Sequence, residues 1–172
     1  LPFALTAAQQ RTMAEISSDL NSDQPMHRLL QGDVGAGKTL VAMHALLVAV
    51  AEGHQGALMA PTEVLAEQHY INLYELAKGL EVADPTTLTG IRPLSIKLLT
   101  NGVTGSDRRR VVKGMEDGSV DLVIGTHALI QEGINFSSLS VVVVDEQHRF
   151  GVEQRAVLRE RGRDDGKWPH LL

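Results

Sequence analysis

Gly32-Asp33-Val34-Gly35-Ala36-Gly37-Lys38-Thr39 fits the pattern Gly-x-x-x-x-Gly-Lys-Ser/Thr. It follows an apolar run, Arg28 to Gln31, that reads as a strand, and precedes one, Thr39 to Glu52, that reads as a helix. Glycines let the backbone curl until successive N–H groups and the helix N-terminus face a phosphate chain. Gly32, Gly35, Ala36 and Gly37 are the expected cradle; Lys38 is expected on the β- and γ-oxygens, and Thr39 to offer its hydroxyl to Mg²⁺. The spacing therefore points to a nucleoside triphosphate as ligand.

The same alternation runs outward from this loop. Gly56 to Ala60, Ile96 to Thr100, Asp121 to Gly125 and Ser140 to Val144 are short apolar runs that read as strands, and Pro169 to Leu172 begins a sixth. Thr6 to Leu20, Thr62 to Ala77, Ser106 to Met115 and Val152 to Arg161 read as helices. Ala83 to Ser95, broken by Pro85, Gly90 and Pro93, has no period and reads as a surface loop. Strand and helix in repetition predict an α/β fold, a parallel sheet with right-handed crossovers and helices on both faces.

A phosphate loop needs a carboxylate at the end of a neighbouring strand, and Val141-Val142-Val143-Val144-Asp145-Glu146 supplies a pair. Asp145 is the expected Mg²⁺ partner with Thr39. Glu146 points elsewhere, because side chains alternate at a strand end, and is placed to orient and deprotonate an attacking water.

Composition narrows the partners. The chain has 172 residues, enough for one domain with its own core. It has no cysteine, which excludes disulfides and thiolate metal sites and fits a reducing, cytoplasmic setting. With 16 Lys and Arg against 21 Asp and Glu, the net charge of −5 excludes a generally basic nucleic-acid surface, so any such contact is local. An aromatic content of 3% leaves little for a row of base-stacking platforms. The longest apolar stretch, Leu40 to Ala51, is interrupted by His44 and falls short of the ~20 residues of a membrane-spanning helix. Leu1-Pro2-Phe3 has no signal-peptide character and reads as a cut end.

Asp145-Glu146-Gln147-His148 resembles motif II of the superfamily 2 helicases; Ala60-Pro61-Thr62-Glu63-Val64-Leu65-Ala66-Glu67-Gln68-His69 resembles motif Ia; and Gly125-Thr126-His127-Ala128-Leu129-Ile130 resembles a later DNA-contact motif. With Leu1 to Gln9 at the start and Asp145 to Gln154 near the end, nearly the whole chain is similar to the RecG family of branched-DNA helicases. The resemblance implies a RecA-like P-loop NTPase domain spanning 1–172, the first motor domain of an ATP-dependent DNA helicase. It implies action on replication forks and Holliday junctions in DNA repair and recombination. A preceding wedge domain, a Thr-Ala-Thr motif III and a second RecA-like domain are expected outside this chain. Phe3 and Gln9 resemble an adenine site, although Thr6-x-x-Gln9 is also a capping box. His148 is expected to couple the nucleotide site to motif III.

DNA contact is expected at Pro61, Thr62 and Glu63, where a helix start offers N–H groups and a hydroxyl to phosphate; Thr62 reads equally as an ordinary N-cap. Thr100, Gly125, Thr126 and His127 are expected at the same sheet edge, with satisfaction of a buried backbone group as the other reading of His127. Asn101 stands where the family carries glycine. Arg108, Arg109, Arg110 and Lys113 read as a solvated helix face, with contact to DNA phosphates as the other reading. Two other readings are open: a transcription-repair coupling translocase, which Gln147 and the Gly-Thr-His-Ala-Leu-Ile-Gln run disfavour, and a non-catalytic nucleotide-sensing module.

Overall fold

The computed structural model describes residues 4–33, 35–161 and 168–172. In chain order the elements are α1 (Ala7–Leu20), α2 (Lys38–Ala51), β1 (Gln55–Met59), α3 (Glu63–Ala77), β2 (Glu81–Ala83), β3 (Ile91–Pro93), β4 (Ile96–Leu99), α4 (Gly105–Glu116), β5 (Leu122–Gly125), β6 (Leu139–Val144), α5 (Val152–Arg161) and β7 (His170–Leu171). Five strands form one parallel sheet in the order β4-β5-β1-β6-β7.

Side-chain alternation along these strands divides the core in two. Leu58, Ile124 and Val143 lie in the layer that α2 and α3 cover, with Leu46, Ala49, Ala66 and Leu73; α1 lies over α2 and adds Met13 and Ile16. Ala57, Met59, Val123 and Val142 face the other way, toward Val111 and Met115 of α4 and Leu158 of α5. Both faces of the sheet are covered, as the continuous apolar strands predict. This is why α2 is apolar on nearly every side: it is a buried layer between α1 and the sheet.

The register positions everything that follows. Met59 pairs with Gly125 on one side and Val144 on the other, and Gly125 pairs with Leu99. Four strands therefore end level, and the segments leaving them emerge along one edge. Gly125 has to be glycine here, because a Cβ would run into the Leu99 carbonyl oxygen and the Leu129 side chain.

Two expectations fail. Arg28 to Gln31 is not a strand: His27 makes an isolated bridge to Leu171, Arg28 N–H donates to the Leu171 carbonyl at 3.0 Å, and the pairing goes no further. Two-residue β7 gives it nothing more to pair with, and the Arg28 side chain turns away to Glu15 and Asp19 on α1. The expected loop from Ala83 to Ser95 instead contains β3 and meets β2 in an antiparallel hairpin. Each strand is three residues long, too short for a period to show. What fixes the hairpin is Arg92, whose guanidinium forks onto the buried Asp121 carboxylate at 2.6 and 2.8 Å.

Candidate functional site

The loop from Gly32 to Thr39 curls as its glycines allow. Gly35 and Gly37 sit at φ 82° and 77°, in the left-handed region that a Cβ penalises, and Gly37 is the residue before the first turn of α2. Val34 lies outside the described residues. Lys38 is folded back on its own loop, donating to the Gly32 carbonyl at 2.7 Å and the Asp33 carbonyl at 3.0 Å. Those two carbonyls hold the ammonium against its own loop.

Gln9 closes the capping box that its spacing allows, and its amide also reaches the phosphate loop. Its Oε1 accepts from Thr6 N–H at 2.9 Å, closing the capping box, and its Nε2 donates to the Ala36 carbonyl at 3.0 Å. One side chain thus starts α1 and steadies the phosphate loop. Phe3, its expected companion, lies outside the described residues.

Across the cleft, β6 ends at Val144 and the backbone turns sharply. Glu146 has φ 50°, the one positive φ outside glycine among the described residues. The turn separates the two acids: Asp145 Oδ2 lies 2.7 Å from His69 Nε2, whereas Glu146 Oε2 lies 3.3 Å from His148 Nε2. The His69 hydrogen bond, helped by the Glu146 N–H and the charge of Lys38, holds the Asp145 carboxyl below its usual range against the opposing effect of burial. Lys38, Thr39, Asp145, Glu146, His148 and His69 line one cleft of about 400 Å³.

The donor set fits Mg²⁺ held jointly with a substrate. The Thr39 hydroxyl has no hydrogen-bond partner among the described residues, and Asp145 is ionised opposite it. No group of three or more His, Asp or Glu able to cage a metal occurs among them. One carboxylate and one hydroxyl leave the remaining octahedral positions to phosphate oxygens and water, as this small, reluctantly dehydrated ion prefers.

A second feature runs along the level strand ends. Pro61 leads into Thr62, which is exposed and accepts from Leu65 N–H at 3.3 Å as the N-cap of α3. Glu63 Oε1 accepts from Gly102 N–H at 3.2 Å, tying the start of α3 to the turn after β4. Thr100 and Thr126 are 2% and 1% exposed, so their hydroxyls lie beneath the edge; that of Thr126 accepts from Ala128 N–H at 3.5 Å. Gly125 is buried beside them, and His127 is exposed. Asn101 donates to His127 Nε2 at 3.1 Å and accepts from Gln131 Nε2 at 3.1 Å, and Gln131 Oε1 takes a 2.9 Å bond from Arg108. Of the basic run, Arg108 is therefore drawn to this edge, whereas Arg109 and Arg110 are exposed.

Sequence reasoning missed two participants. His69 closes the motif Ia string, seven residues after Thr62 and so on the same helical stripe, but nothing in the sequence pairs it with Asp145. Asn101 was visible only as a departure from glycine; its bridge to His127 and Gln131 depends on the register of β4 with β5.

Residues 6–165 match the DEAD/DEAH box helicase family. The chain is 49% identical over 162 residues to the ATP-dependent DNA helicase RecG of Streptococcus pneumoniae, covering 94% of this chain and 22% of that protein. It is likewise 49% identical over 164 residues to that of Bacillus subtilis, covering 95% of this chain and 22% of the relative. The chain thus spans about a fifth of the length of these relatives. A solved structure of RecG bound to a three-way DNA junction superposes with a TM-score of 0.80 at 40% identity, covering the whole of this chain and 21% of the other. The DEAD-box helicase Mss116, solved with single-stranded RNA, shares the fold at a TM-score of 0.69 and 20% identity, over 98% of this chain and 34% of its own.

Proposed function

The chain belongs to the DEAD/DEAH box helicase family, and we propose that it is the first RecA-like motor domain of an ATP-dependent DNA helicase of the RecG kind, working on branched DNA in repair and recombination. The observation that carries the reading is the shared cleft: Lys38 and Thr39 on one wall, Asp145 and Glu146 on the other.

The chemistry follows from these side chains. On ATP binding Lys38 leaves the Gly32 and Asp33 carbonyls for the phosphate oxygens, which offer it full negative charge in place of dipoles. Thr39 and Asp145 would hold Mg²⁺, whose charge would offset that developing on the phosphates. Glu146, turned away from Asp145, orients the attacking water and takes its proton. His148, beside Glu146 and exposed, is available to report the state of the cleft to the second motor domain that the reading places elsewhere in the longer protein.

DNA is proposed to run along the level strand ends. Phosphate is held there by the N-terminus of α3 at Pro61, Thr62 and Glu63, which needs no net basic charge. Because Thr100, Gly125 and Thr126 are buried, they shape the edge, and contact passes to Asn101 and His127 above them.

The test is nucleotide binding and turnover. An arginine finger is worth about 10³ to 10⁵ in rate and is expected from the second domain, so the purified chain is expected to bind ATP weakly and scarcely hydrolyse it. DNA-stimulated turnover at ordinary helicase rates by this chain alone would contradict the division of labour. Failure to bind ATP would sink the reading itself.

A further inference from the structure

We propose that His69 is a positioning residue for the metal site, fixing the Asp145 carboxylate for Mg²⁺ from helix α3. The inference rests on the functional reading above. Asp145 is located from two directions: its backbone N–H is bound by the Met59 carbonyl at 2.9 Å, and its side chain is held by His69 at 2.7 Å. A carboxylate oxygen accepts, so the bond draws its hydrogen from His69 Nε2.

The other side of the ring distinguishes this role from simple packing. His69 Nδ1 is buried and has no hydrogen-bond partner among the described residues. Buried polar atoms are normally satisfied, and exceptions cluster where something else compensates. A histidine that merely filled the space between α3 and the sheet would gain by satisfying Nδ1; this one commits its hydrogen bond to a carboxylate in the nucleotide cleft. An outer partner on a metal-holding carboxylate fixes its orientation, and losing such a partner typically weakens metal affinity by about 10- to 100-fold. Because α3 also begins at Thr62, roughly 10 Å away along the helix, the same rigid rod joins the proposed DNA edge to the metal carboxylate.

The experiment compares the wild-type chain with His69→Ala and His69→Gln, measuring the affinity of a fluorescent ATP analogue with Mg²⁺ and with EDTA. Wild type is expected to gain affinity with Mg²⁺. His69→Ala is expected to lose about tenfold of that gain while its affinity in EDTA stays put, and His69→Gln to recover part of it through its amide N–H. An undiminished Mg²⁺ gain in His69→Ala, or equal losses with and without Mg²⁺, overturns the proposal. Should His69→Ala fail to fold, the ¹⁵N signals of the wild-type His69 ring decide: they are expected to shift when Mg²⁺ is added to the nucleotide complex, and unmoved signals overturn it. A wild type that does not bind the analogue at all defeats the functional reading and so is distinguished from these outcomes.

Discussion

The Gln9 amide nitrogen lies 3.0 Å from the Ala36 carbonyl, while the oxygen of the same amide caps the first turn of α1. The two bonds are separable by substitution. Gln9→Glu keeps the acceptor for Thr6 N–H and sets a carboxylate against a carbonyl, so it is expected to hold most of the stability but weaken ATP binding severalfold. Gln9→Ala loses both, and is expected to cost about 0.5–2 kcal/mol of stability as well. Urea denaturation alongside nucleotide titration separates the two effects.

Lys38→Ala is expected to abolish detectable ATP binding, because no other described cation lines the phosphate side of the cleft apart from histidine. Glu146→Gln, made in a chain that also carries the proposed second motor domain, is expected to leave binding near wild type and to remove turnover. Full activity in Glu146→Gln would take that residue out of its role.

Acid should weaken the Asp145 arrangement. Its carboxyl is held below the usual carboxylate range chiefly by the His69 hydrogen bond, so its stabilisation is complete above the unfolded value of about 4 and is lost as the pH falls through the lower, folded one. Asp145→Asn is therefore expected to be less stable than wild type at pH 7, with the difference shrinking below about pH 4. Urea midpoints across that window measure it; a gap that widens toward acid would reverse the sign and the assignment.

Asp121→Asn breaks the fork that anchors the β2–β3 hairpin and weakens the bond to Ser95 N–H at 2.7 Å. Arg92 keeps some solvent and the Asp84 carboxylate at 3.2 Å, so the expected cost is about 2–3 kcal/mol, below that of a fully buried pair. Thermal unfolding is expected to fall by roughly 5–10 °C. ATP binding should not change, because the fork sits at the opposite end of the sheet from the cleft.

Why these features differed in legibility is itself physical. Val141 to Val144 and the Gly-Lys-Thr turn announce themselves because a strand covered on both faces must be continuously apolar and a phosphate loop must be glycine-rich. Their assembly into one cleft follows from strand ends that the register sets level. Arg28 to Gln31 looked like a strand because local pattern cannot see how much partner an edge offers. The hairpin was invisible because a long-range ion pair, not local periodicity, holds it. His69 and Asn101 were missed for the same reason: each acquires its partner only through tertiary placement.

At the end of the sheet away from the nucleotide, the buried Gln55 amide donates to the Met115 and Val120 carbonyls at 3.0 and 2.7 Å and accepts from Ser138 N–H at 3.0 Å. It rivets the starts of β1 and β6 to the last turn of α4 and the link from there to β5. The base of the sheet is thereby tied by side chains, with the Arg92 fork on Asp121 beside it, whereas at the opposite rim the strands lead straight into loops. If the chain works as the proposed motor domain, the segments beyond Met59, Gly125 and Val144 are the ones expected to move, over a base that Gln55 and the Arg92–Asp121 fork hold fixed.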